Sequence, residues 1–62
     1  MTDPIQLLTV PEVADRLRVS RRTVERLIRD GRIRPVRIGR RVLVTEHEIA
    51  AYLAWLTGRR VA

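Results

Sequence analysis

The stretch TVPEVADRLRVSRRTVERLIRDG, Thr9 to Gly31, decides how this chain folds. Thr9 followed three residues later by Glu12 is a capping box, and Pro11 falls in the first helical turn, where its missing N–H costs nothing. Val13, Ala14 and Leu17 then recur at helical spacing, which predicts a helix over about Val10 to Leu17. Ser20 is a second cap. Val24, Leu27 and Ile28 form the apolar stripe of a second helix over about Arg21 to Asp30, and Gly31 suits the left-handed residue that closes it.

Only Arg18 and Val19 link the two helices, so they must cross at a steep angle. Ala14 is small where the second helix comes closest. Val24 and Leu27 are expected to pack back onto the first helix, and Val19 to plug the gap beneath the turn. Many such turns carry glycine; this one carries Arg18.

Beyond Gly31 the apolar period changes from helical to two. Val36 and Ile38 flank Arg37, and Val42 and Val44 flank Leu43, with Gly39-Arg40 between the two runs. This predicts a short hairpin with a tight turn at Gly39 and Pro35 at its entrance. If Val36, Ile38, Val42 and Val44 face the core, Arg37 and Arg41 point outward. Thr45-Glu46-His47-Glu48 is a third cap and a second capping box, with His47 an ordinary first-turn surface residue. Ile49, Tyr52, Leu53 and Leu56 follow as one core stripe, ended by Gly58, and Arg59 to Ala62 reads as a frayed tail. The expected order is α-α-β-β-α. The fold class is α+β, mostly α, in a single domain over residues 1–62 with a structured core over about 7–57.

Composition narrows the function. The 62 residues carry 13 Lys+Arg against 7 Asp+Glu, a net charge of +6, and every basic residue is arginine. Hydrophobic residues make up 45%, enough for one compact core. There is no cysteine, and His47 is the single histidine, so neither a disulfide nor a zinc site is expected, and no cofactor. No nucleophile–base pair, phosphate-cradling glycine loop or paired carboxylate suggests an enzyme. No apolar run approaches the roughly 20 residues of a membrane span. The opening Met1-Thr2-Asp3-Pro4 lacks the basic start of a secretory signal, so a soluble, cytoplasmic protein is expected.

A small basic domain of this kind points to nucleic acid. With Val24 at zero on a helical wheel, Arg22, Arg26 and Arg29 fall at about 160°, 200° and 140°, opposite the core, with Glu25 to one side. The first helix instead mixes signs, with Glu12, Asp15 and Arg16. A one-signed arginine stripe can pair with phosphates or reach guanine in the major groove. Ser20, Arg21 and Thr23 stand at the start of the second helix, where hydroxyls, backbone N–H groups and the helix dipole favour a phosphate. Ser20 reads equally as cap and as contact. Arg37, Gly39, Arg40 and Arg41 make the hairpin basic as well, and a narrow arginine-tipped hairpin suits a minor groove. Trp55 lies off the core stripe of the third helix, as cover for a hydrophobic edge or as an aromatic anchor for a protein partner.

The runs Leu8-Thr9-Val10-Pro11-Glu12-Val13-Ala14 and Val19-Ser20-Arg21-Arg22-Thr23-Val24, with Leu27-Ile28, Gly31, Arg37-Ile38-Gly39-Arg40, Val44 and Ile49, resemble the excisionase-type, MerR-like winged-helix family over about residues 7 to 56. The resemblance implies a second helix in the major groove and a wing in the adjacent minor groove of double-stranded DNA. It implies contacts at Ser20, Arg21, Arg22, Thr23 and Arg26, and at Arg40 and Arg41. It further implies a phage excisionase, or recombination directionality factor. Several copies of such a protein bind direct repeats at an attachment site, bend the DNA and help an integrase excise the prophage. A small transcriptional regulator at a promoter operator is the family's other role, and a protein-interaction adaptor using Trp55 is the reading from a different class. The all-arginine basic set suits a GC-rich host such as an actinobacterium.

Overall fold

The fold opens with a strand, Leu7–Thr9, that lies outside the elements the sequence predicts. A computed structural model describes residues 6–58, so the Arg59–Ala62 tail lies outside the described residues. The elements are β1 (Leu7–Thr9), α1 (Val10–Leu17), α2 (Arg21–Arg29), β2 (Val36–Ile38), β3 (Arg41–Thr45) and α3 (Glu46–Gly58). The helices and hairpin follow the expected order, and the α+β, mostly helical class holds. The correction is at the N-terminus, where the order is β-α-α-β-β-α. Strand β1 pairs antiparallel with β3, giving a three-stranded sheet ordered β1-β3-β2. A three-residue strand has no local turn signal, and its partner lies far along the chain.

Thr9 ends β1 and caps α1. Its N–H donates to Glu12 Oε1 at 2.8 Å, and Glu12 N–H donates to Thr9 Oγ1 at 3.3 Å, completing the capping box. The core gathers Val13, Ala14, Val24, Ile33, Val44 and Ile49, with Leu8, Val10, Leu17, Leu27, Ile28 and Tyr52 packed around it. Ile33 is fully buried although it sits between α2 and β2, outside any periodic run. Val19 is a correction. It remains 39% exposed, because the α1 end turns it outward rather than beneath the link.

The hairpin also corrects the expected faces. Val36 pairs with Leu43 and Ile38 with Arg41, across a two-residue loop. Paired residues share a face of the sheet, so Val36 and Ile38 lie with Leu43 and Arg41, opposite Val42 and Val44. Both are exposed, while Val44 is buried. The loop length forces this result. With two loop residues, partners across the hairpin have opposite parity in the numbering, so Val36 and Val42 cannot share a face.

In α3 the cap is made and the box is not. Thr45 Oγ1 accepts from Glu48 N–H at 3.0 Å, but the Glu48 carboxylate turns to the N–H of Arg34, also at 3.0 Å. Glu48 thus holds the α2–β2 loop that carries Ile33. Arg16 reaches Glu46 through both carboxylate oxygens, tying α1 to the start of α3. Ile49 is buried and Tyr52 half-buried, whereas Leu53 and Leu56 are exposed. The expected stripe therefore outruns its core, because α3 continues past the last residue it packs against.

Candidate nucleic-acid interface

Helix α2 presents its two faces as the wheel predicts. Val24 is fully buried, Leu27 and Ile28 pack against the core, and Arg22, Arg26 and Arg29 are exposed on the opposite face, while Arg21 is exposed at the first turn although its wheel angle lies near the core side. Its N-terminus is well ordered chemically. Ser20 Oγ accepts from Thr23 N–H at 3.1 Å and lies 3.0 Å from the Thr23 hydroxyl. The cap role of Ser20 is therefore filled, and its hydroxyl still faces an exposed turn bearing Arg21 and Arg22.

The end of α2 aims the chain toward the wing. Gly31 N–H donates to Ile28 O and Arg32 N–H to Leu27 O, with Gly31 at φ 80°. This is a Schellman motif with glycine in the left-handed position. The end of α1 repeats it. Arg18 N–H donates to Asp15 O and Val19 N–H to Ala14 O, with Arg18 at φ 61°. An arginine thus takes the position that glycine takes in α2, and no other non-glycine residue among those described has a positive φ.

The wing turn is Gly39-Arg40. Gly39 has φ 59° while Arg40 does not enter the positive region, the pattern of a type II′ hairpin turn. Arg40 and Arg41 are exposed at this tip. Arg37 and Arg41 do not point the same way, however. Arg37 pairs with Val42, on the face turned toward α2, and Arg41 pairs with Ile38 on the opposite face. An open cleft between α2 and the wing results, lined by Val10, Glu25, Ile28, Arg29, Arg37, Arg40 and Val42. The cleft thus joins arginines from both elements over an apolar floor. Glu25 is its single acid, a cleft residue that the wheel placed only to one side.

Trp55 lies away from this cleft, on α3. It is 50% exposed, with the Arg32 guanidinium carbon 5.7 Å from its ring centroid and Tyr52 stacked at 6.4 Å. It is therefore held by α3 and the α2–β2 loop rather than projecting alone. Among the described residues, no cluster of His, Asp or Glu could hold a metal ion, and no helix is long and apolar enough to cross a membrane.

Residues 7–54 match the family of the helix-turn-helix domain. The chain belongs to that family. It is also 57% identical over 35 residues to two Mycobacterium tuberculosis proteins, from strains CDC 1551 and H37Rv, each named as a candidate DNA-binding protein. That stretch takes in 56% of this chain and 45% of each relative, so the two share less than half of the relatives' length. No solved structure matches the chain. The family span covers β1 through most of α3, so the helix pair, the wing and the arginine cleft all fall inside the helix-turn-helix domain.

Proposed function

We propose that this protein binds double-stranded DNA sequence-specifically, with α2 in the major groove and the β2–β3 wing in the adjacent minor groove. The cleft that unites Arg29 of α2 with Arg37 and Arg40 of the wing carries the reading, because it sets two basic elements to straddle one DNA backbone. The helix-turn-helix family and the relatives named as candidate DNA-binding proteins support it. In this reading Arg22 and Arg26 reach base edges, where an arginine pairs bidentately with guanine. Ser20, Arg21 and Thr23 hold phosphate at the start of α2. Arg40 and Arg41, with Gly39 shaping the tip, enter the minor groove, and Arg29 and Arg37 face the backbone between them.

The biological role we propose is that of an excisionase, acting in the cytoplasm on nucleoid DNA. Several copies bind direct repeats at an attachment site, bend the DNA and direct an integrase toward excision, with Trp55 a contact for the integrase or a neighbouring copy. The protein contributes binding and distortion; any strand cleavage belongs to the integrase. A gel-shift titration on attachment-site DNA, at two salt concentrations with a scrambled control, tests this. A ladder of specific, salt-sensitive and bent complexes is the expected result. One shifted band confined to promoter DNA would make the protein a transcriptional regulator instead, and no shift would leave an adaptor built on Trp55.

A further inference from the structure

We infer that Arg18, in the turn between α1 and α2, is a DNA-backbone contact, an assignment that rests on the DNA-binding reading above. Arg18 stands at φ 61°, ψ 44°, a conformation that is strained for an L-residue and that glycine enters freely. The same chain uses glycine in the identical motif at the end of α2, where Gly31 has open space around it. So the fold accepts glycine at this position and does not require an arginine there. Nor is the arginine held by the protein. It is exposed, and among the described residues the ion pair found is that of Arg16 with Glu46.

Its position supplies the missing partner. In a helix-turn-helix the first helix crosses the phosphate backbone while the start of the second enters the groove. The turn joining them therefore lies at the groove wall. Arg18 precedes the Ser20 cap by two residues, so at about 3.8 Å per Cα step its backbone lies within roughly 8 Å of the helix start. A long cation there extends the phosphate contacts of Ser20, Arg21 and Thr23 along the backbone. The C-terminal dipole of α1 also favours a cation at Arg18, but it does so in the free and bound protein alike and so adds nothing to affinity.

The experiment measures binding of the wild type and of Arg18→Gln, Arg18→Lys and Arg18→Gly to a duplex selected from a random pool and to its scrambled counterpart, across a salt series. Arg18→Gln is expected to weaken binding to both duplexes by the same factor and to reduce the slope of log affinity against log salt by about 1, with Arg18→Lys restoring the slope. Arg18→Gly should match Arg18→Gln in binding while melting no lower than the wild type, which separates lost contact from lost fold. Wild-type affinity and slope in Arg18→Gln and Arg18→Gly would overturn the proposal, as would weakening confined to the selected duplex. A wild-type protein that binds neither duplex with salt dependence would overturn the DNA-binding reading itself.

Discussion

Arg18 and Gly31 occupy the same position at the ends of successive helices, each the left-handed residue of a Schellman motif, at φ 61° and φ 80°. Glycine is favoured there for its backbone alone, since a Cβ on Gly31 would meet nothing within 4 Å. Gly31→Ala is therefore expected to cost about 1–2 kcal/mol with no steric contribution, read from urea denaturation. Arg18→Gly should move stability the other way, by up to about 1 kcal/mol. The relief is offset partly by glycine's greater freedom in the unfolded chain. Equal and opposite effects are not required; a Gly31→Ala variant as stable as wild type would contradict the account.

Ile33 is the core residue that no periodic pattern marks. Ile33→Ala should cost about 2–5 kcal/mol and Ile33→Val about 0.5–1.5 kcal/mol. A domain this small has little stability to lose, so the alanine variant is expected to be largely unfolded at room temperature by circular dichroism. If Ile33→Ala melts like the wild type, its burial is not what holds the α2–β2 loop in place.

The apolar stripe of α3 divides between Ile49, 2% exposed, and Leu56, 45% exposed. Truncating Ile49 to alanine should cost about 2–5 kcal/mol, while Leu56→Ala should stay within about 0.5 kcal/mol of wild type. Comparable losses at the two positions would mean that Leu56 is covered in solution.

Glu48 accepts from Arg34 N–H instead of closing a capping box on Thr45. Glu48→Ala should cost about 0.5–1.5 kcal/mol, or somewhat more because the acceptor is charged. Hydrogen exchange gives the sharper reading. The Arg34 amide should lose protection, while the Glu48 amide, bonded to Thr45 Oγ1, should keep it.

On DNA, Arg26→Ala should cost about 1–3 kcal/mol on the selected sequence and far less on a scrambled one, whereas Arg40→Ala should weaken both and lower the salt slope by about 1. Equal weakening of both sequences by Arg26→Ala would make that residue a phosphate contact.

Much of this fold is legible in the linear order of residues because its signals are local. A cap is a bond between residues three apart, so Thr9, Ser20 and Thr45 mark all three helix starts without reference to the rest of the chain. The arginine face of α2 follows from helical periodicity, and the wing turn from Gly39 beside a change of period. The share of the candidate site on α2 was readable for that reason. The wing is less legible. The split of Arg37 and Arg41 onto opposite faces depends on hairpin register, which alternation within each strand does not specify.

What the sequence determined by itself was thus the helices, the hairpin, their ends and the sign of the exposed charge. Each is settled by hydrogen bonds and spacing within a turn or two of chain. Tertiary structure alone decided that Leu7–Thr9 becomes a strand on β3, that Ile33 is buried, and that Glu48 serves the loop rather than its own cap. It also decided where the α3 stripe runs out of core. These depend on which distant surfaces meet, and a strand's partner or a side chain's cover exists only once the helices have packed.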